Sequence, residues 1–250
     1  MRKKMILFAG IIVLAVVAII LADVYPIFFM RPLDTGVVPD TDISVIRNGV
    51  ANAYCIKSSE GYILIDAGAD SEAFKKTLQE KNISITDVRH IFLTHSDNDH
   101  VGAIGLFPYA NVYMSEDELP MINGEMTRNG NIIGRIFSGN KNALPDGVTP
   151  ESLILLTDGQ ELTIGDRTIR CVKAPGHTPG SMVFILDDAY LFTGDSFKVH
   201  NMQLATSPFT MDEKASKESI QNMYEDLRDT KLVLTAHYGY YHSADIANIF

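Results

Sequence analysis

Thr94-His95-Ser96-Asp97-Asn98-Asp99-His100 is the stretch on which the reading of this 250-residue chain turns. It ends a β-branched and aromatic run over 88–94, which predicts a strand. Alternate side chains of an extended stretch point the same way, so His95, Asp97 and Asp99 can converge at the strand's end. Gly102 permits a tight entry into a following helix over 101–107, which would swing His100 toward the same point. Four potential ligands within six residues are hard to justify as packing, because crowded charges repel unless a cation or a proton separates them. A solvated polar loop is the bland alternative.

Three later residues weigh against that alternative. Pro175-Gly176-His177-Thr178-Pro179-Gly180 sets a histidine in a tight turn after a strand, Thr193-Gly194-Asp195 sets an acid at the end of another, and Thr235-Ala236-His237 a histidine at the end of a third. Singly, each reads as a helix cap or a surface residue. Repeated, the order of strand, short turn, then His or Asp is what a metal centre between sheet edges requires.

Around these motifs the pattern is α/β. Strands are predicted over 43–47, 50–57, 62–66, 88–94, 112–114, 162–164, 168–173, 182–186, 190–193 and 232–235, and helices over 72–81, 212–228 and the chain end. Residues 115–150, broken by five glycines, read as an inserted flap that shapes substrate choice together with 198–210. Two β-rich halves with helices suggest two sheets packed face to face, helices outside.

In their order, the 95–100 string, the 175–180 turn, Thr193-Gly194-Asp195 and His237 resemble the signature motifs of the metallo-β-lactamase superfamily over roughly residues 43–250. The resemblance implies a four-layered αββα sandwich with two divalent metal ions at one edge. His95, Asp97 and His177 would hold one ion and Asp99, His100 and His237 the other, with Asp195 bridging. Leu64-Ile65-Asp66-Ala67-Gly68 is similar to the family's early strand-end motif, whose acid, here Asp66, braces the site from behind. The implied activity is hydrolysis of a small ester, thioester, lactone, amide or phosphoester by a metal-bound hydroxide, with Asp99 orienting it and passing on a proton.

One position departs from the pattern. Where the family usually reads His-x-His-x-Asp-His, the second histidine is Asp97. A carboxylate still ligates zinc, yet it weakens the Lewis acid and hardens the ligand set, so iron or manganese stands beside zinc, with zinc first on the count of four histidines. Two rival readings use the same residues. His95, His177 and Asp195 alone would make a non-haem iron site like that of persulfide dioxygenases. A membrane-tethered metal-binding domain without catalysis is the other. His90 reads as packed or partly exposed within a strand, and His200 and His242 as candidates for a substrate mouth.

Arg2, Lys3 and Lys4 precede an uncharged apolar run of eighteen residues, 5–22. That length suits a membrane span, and the leading basic residues place the remainder outside the cytoplasm. Cleavage after Ile20-Leu21-Ala22 would make it a signal peptide instead, and a buried helix is a third reading. Residues 1–31 are thus expected to be an anchor or signal and 32–250 the catalytic domain. Four basic groups against one acid in 1–31 leave a formal −13 on the rest of a chain that totals −10, which disfavours nucleic acid as a partner and leaves a small molecule. Cys55 and Cys171 fall in strand-like runs and read as buried free thiols.

Overall fold

A computed structural model describes residues 30–128 and 144–246. Seven strands form the first sheet: β1 (Gly36–Val37), β2 (Ser44–Asn48), β3 (Ala51–Ser58), β4 (Gly61–Ile65), β5 (Val88–Phe92), β6 (Asn111–Ser115) and β7 (Leu153–Leu156), in that spatial order. The first four pair as an antiparallel meander and the last four run parallel. The parallel step from β4 to β5 needs a crossover, supplied by helix α1 (Ser71–Glu80). Asp70 caps α1 by accepting from Ala73 N at 3.0 Å.

The second sheet is built from β8 (Glu161–Ile164), β9 (Arg167–Lys173), β10 (Met182–Leu186), β11 (Tyr190–Gly194), β14 (Leu232–Thr235) and β15 (Tyr240–His242). Its order is β15-β14-β11-β10-β9-β8. β12 (Phe197–His200) and β13 (Gln203–Thr206) form a separate hairpin.

Side-chain alternation explains the layering. Ile63 and Ile65 of β4 and Met182, Phe184 and Leu186 of β10 enter one core between the sheets. Leu64 points the other way and packs with Phe74 and Leu78 of α1, while Val183 and Ile185 pack with Ile220 and Leu227 on the opposite flank. The result is helix, sheet, sheet, helix, as the pattern of two β-rich halves implied. Cys55 and Cys171 are buried and free, and burial pushes both thiols up to about 12.

Several local expectations are corrected. No helix covers 101–107. A single turn, α2 (Asn98–Val101), carries Asp99 and His100 themselves, and a 3₁₀ turn at Ile104–Leu106 follows before Pro108 disfavours further helix. The helix expected over 212–228 breaks at Met223 into α4 (Glu213–Asn222) and α5 (Tyr224–Asp229). Toward the chain end the described residues form β15 and a 3₁₀ turn at Ser243–Asp245, and residues 247–250, where the terminal helix is expected to finish, lie outside them. In the flap, a short α3 (Leu119–Ile122) follows β6. No helix among the described residues is long and apolar enough to cross a membrane, and the apolar run 5–22 lies outside them.

Phe92 of the first sheet stacks on Tyr113 at 4.4 Å and meets Phe184 of the second edge-on at 5.4 Å. Truncating Phe184, which is fully buried, opens the core where the sheets touch. Phe184→Ala is expected to cost about 3–5 kcal/mol, read as a lower urea midpoint at unchanged slope. An unmoved midpoint would mean that this contact does not hold the sheets together.

Candidate metal centre

Each candidate ligand lies just past a strand end, where the two sheets abut. His95 and Asp97 follow β5, Asp99 and His100 lie on α2, His177 sits in the turn after β9, and Asp195 and His237 follow β11 and β14. Backbone bonds stitch these ends across the sheets. Met182 N donates to Thr94 O at 2.9 Å and Asn52 N to Ala236 O at 2.8 Å. The Tyr54 hydroxyl donates to Thr235 O at 2.6 Å. Gly194 has φ +50, and a Cβ there would lie 2.4 Å from Thr94 Oγ1, so no side chain fits at this closure. Gly102 matters through space rather than torsion: its φ of −59 is ordinary, but a Cβ would lie 2.3 Å from Ala69 O.

The rings are fixed from behind. His95 Nδ1 bonds Thr94 Oγ1 at 3.0 Å, His100 Nδ1 bonds Asp66 Oδ2 at 2.8 Å, and His237 Nδ1 bonds Val50 O at 2.7 Å. Each Nε2 is thereby turned inward, the arrangement by which outer partners orient metal-ligating imidazoles. Asp66, at φ +61, also accepts from the Thr94 amide at 2.8 Å and the Thr94 hydroxyl, and so lies behind the rings of His95 and His100.

Three groups of donor atoms lie within 4.8 Å of one another: His95, Asp97 and His177; His95, His100 and Asp195; Asp99, His100 and His237. All seven ligands expected from the sequence are therefore brought together. Buried His95 Nε2 and His100 Nε2 make no hydrogen bond among the described residues, and Asp195 Oδ1 is faced by the His237 and His100 rings at 3.0 and 3.6 Å, so the donor set fits a divalent ion. His90 is packed against Tyr113, as read from the sequence. His200 and His242 are exposed and join no group; His242 lines a surface pocket with Pro39 and Tyr190.

Two residues that the sequence reading did not single out complete the site. Glu118, fully buried, accepts from Ser96 N (2.9 Å), Ser96 Oγ (2.7 Å), Thr178 Oγ1 (2.9 Å) and Gly180 N (3.0 Å), locking the 95–100 loop to the 175–180 turn. Nothing in Glu116-Asp117-Glu118 distinguishes it from a solvated acidic run. Arg128 is 3% exposed. It grips Asp97 with two nitrogens, Nε to Oδ1 at 3.0 Å and Nη2 to Oδ2, and Nη2 also donates to His177 Nε2 at 2.7 Å. Its Nη1 donates to Phe209 O at 2.7 Å, tying the flap to the 198–210 segment. The unusual acid at 97 was the signal for a nearby cation.

Electrostatics follow from this crowding. Burial lowers the His100 pKa, but Asp66, Asp99 and Asp195 outweigh it and raise it to about 10. His237 is likewise lowered by burial and raised by Asp195 and then Asp99, to about 9. Burial and the Arg128 guanidinium hold His177 at about 4, so it is neutral. Burial alone would raise Asp97 and Asp195. Arg128 carries Asp97 well below the usual carboxylate range, and His237 and His100 do the same for Asp195.

These shifts set a pH profile for the metal-free protein. Between about 4 and 6.5 the unfolded chain binds the proton that native His177 refuses, so stability rises with pH. From 6.5 to about 9–10 native His100 and His237 hold protons that the unfolded chain releases, so stability falls. Thermal unfolding of chelator-treated protein should peak near pH 6.5, and a midpoint climbing steadily to pH 9 would contradict this assignment. Glu118→Ala should cost at least about 3 kcal/mol by orphaning four buried donors; a thermal midpoint equal to wild type would show the bracing to be dispensable.

The family model for the Metallo-beta-lactamase superfamily matches residues 46–237. Among curated proteins, the chain is 31% identical over 153 residues to the uncharacterized protein YobT of Bacillus subtilis, covering 59% of this chain and 62% of that one. It is 28% identical over 143 residues to a probable polyketide biosynthesis zinc-dependent hydrolase, BaeB, of Bacillus velezensis (56% and 51%). It is also 28% identical over 158 residues to an atrochrysone carboxyl ACP thioesterase of Emericella nidulans (60% and 41%). The chain thus spans between two fifths and two thirds of the length of these relatives. Among solved structures, the fold matches an archaeal superfamily protein, ST1585 from Sulfolobus tokodaii, with a TM-score of 0.60 at 23% identity, covering 83% and 84%. It matches BJP-1, a subclass B3 metallo-beta-lactamase of Bradyrhizobium japonicum, with a TM-score of 0.60 at 20% identity, covering 84% and 79%. With the family model spanning most of its length and the ligand geometry in place, this chain belongs to the metallo-beta-lactamase superfamily.

Proposed function

We propose that the chain is a metal-dependent hydrolase of a small acyl or phosphoryl substrate, with zinc the first ion to try. The observation that carries this reading is the set of inward-facing Nε2 atoms of His95, His100 and His237, each ring held from behind, converging with Asp99 and Asp195. An ion held there would supply a Lewis acid and a water acidic enough to ionise near neutral pH.

The chain's own groups carry the rest. Asp99 is the most open of the inner carboxylates, its side chain 31% exposed against 10% for Asp97 and 12% for Asp195. Its Oδ2 lies 3.5 Å from His237 Nε2 and 3.8 Å from His100 Nε2. It is therefore placed to orient water at the mouth of the site and to hand a proton to the leaving group. Asp66, Thr94 and Glu118 hold the loops from behind.

Names of relatives suggest where to start. A zinc-dependent hydrolase and an acyl-carrier thioesterase support screening thioesters and esters first, then lactones, amides and phosphoesters. The iron alternative built on His95, His177 and Asp195 is weaker, because His177 Nε2 is engaged by Arg128. The basic residues ahead of the apolar run 5–22 support placing the domain outside the cytoplasm, tethered or released.

Chelation is expected to abolish hydrolysis of an activated thioester and zinc to restore it. Asp99→Ala should lower kcat by about 10²–10⁴-fold, the range for loss of a general acid–base. Turnover that survives chelation, or an Asp99→Ala variant as fast as wild type, would refute this reading.

A further inference from the structure

We propose that Arg128 stands in for one of the two cations of the superfamily arrangement. The chain then binds a single divalent ion through Asp99, His100, His237 and Asp195, and Asp97 is the counter-anion of Arg128. The inference rests on the metal-dependent reading above and fixes how many ions that reading involves.

The donors of the first group are not themselves the obstacle. Asp97 Oδ2 lies 3.3 Å from His95 Nε2 and 3.1 Å from His177 Nε2. A tetrahedral ion with arms of 2.0–2.1 Å has ligand atoms about 3.3 Å apart, so the spacing suits it. What stands against those donors is a guanidinium. Arg128 Nη2 contacts both Asp97 Oδ2 and His177 Nε2, which are themselves hydrogen-bonded at 3.1 Å, so a cation already sits against the pair. His177 Nε2 lies 2.7 Å from the guanidinium, inside the space an ion bound to that nitrogen would need.

The anchorage of Arg128 is firm. Its fork engages both oxygens of Asp97, the geometry in which arginine and a carboxylate bind most strongly, and Nη1 is held by Phe209 O. Guanidinium has no acceptor and does not lose its proton in proteins, so it cannot turn into a ligand. A divalent ion at His95, Asp97 and His177 would have to break these bonds and lie against a fixed positive charge. Asp97 now has a physical reason. An imidazole at 97 would offer Arg128 no bidentate partner, whereas a carboxylate does, so the acid and the arginine account for each other.

The other half of the cluster lacks such a cation. Among the described residues, the ion pairs of Asp99 and Asp195 are with histidines alone. His100 Nε2, buried and making no hydrogen bond there, faces this half.

Counting ions tests the proposal without reference to turnover. Full-length protein is loaded with excess zinc, freed of loose metal by gel filtration, and measured by elemental analysis and native mass spectrometry. Wild type should hold about one zinc per chain, Asp97→Ala should keep it, and His237→Ala should lose it. Arg128→Ala should gain a second ion, with Arg128→Gln as a milder variant should the alanine form misfold. Two ions in wild type, one in both wild type and the Arg128 variants, or loss in Asp97→Ala with retention in His237→Ala would each overturn the assignment. No zinc in wild type would instead strike down the metal-dependent reading itself, and this inference with it.

Discussion

Buried negative charge at the seam of the two sheets is the constraint around which this structure is arranged. Asp66, Asp97, Asp195 and Glu118 are each less than a tenth exposed and gather at one edge of the sandwich. An ionised carboxylate in such surroundings costs several kcal/mol unless matched by donors or cations. Each is matched differently. Asp66 takes the Thr94 amide and hydroxyl and the His100 ring, Glu118 takes four neutral donors, and Asp97 takes a guanidinium. Asp195, with the more open Asp99, is left to the histidines, and that is where a metal ion would compete with protons for the same charge.

Packing fixes where that charge sits. His95, Asp195 and His237 each come three residues after a member of the core between the sheets: Phe92, Phe192 and Leu234. The distance between the sheets therefore sets the distance between these side chains, and bonds across the seam, such as Tyr54 to Thr235 O, transmit it to the loops. Rigid strands give position and short turns give reach, which is why a site so dense in polar atoms can be held on an apolar core. Substrate contacts fall to the less regular segments that Arg128 and Phe209 join.

Much of this was legible in the sequence because it is local. Apolar runs bounded by turn residues marked the strands over 62–66, 88–94 and 182–186, and the polar residues following such runs marked all seven side chains that converge. The errors are also local. Pro108 and the crowding of Gly102 against Ala69 cut short the helix expected after His100, and Met223 splits a long amphipathic pattern. β1, β7, β12, β13 and β15 were missed because short strands earn their identity from neighbours in space rather than from their own pattern. Glu118 and Arg128 were missed for the same reason: an acidic run and a glycine-rich stretch look solvated until the fold buries them.

Asp97 shows what a motif letter can and cannot say. Read along the chain, an acid in place of histidine is a harder ligand, which moves the metal preference toward iron or manganese. In the folded protein its charge is matched by Arg128, 31 residues away, and its pKa is depressed by that guanidinium with help from His95 and His177. Metal preference then rests on the other half of the cluster, where two imidazoles join two carboxylates. Mixed nitrogen and oxygen donors of that kind suit zinc without calling for a softer or harder ion. The departure from the family pattern thus bears on the number of positive charges the site takes from outside rather than on the element that supplies them.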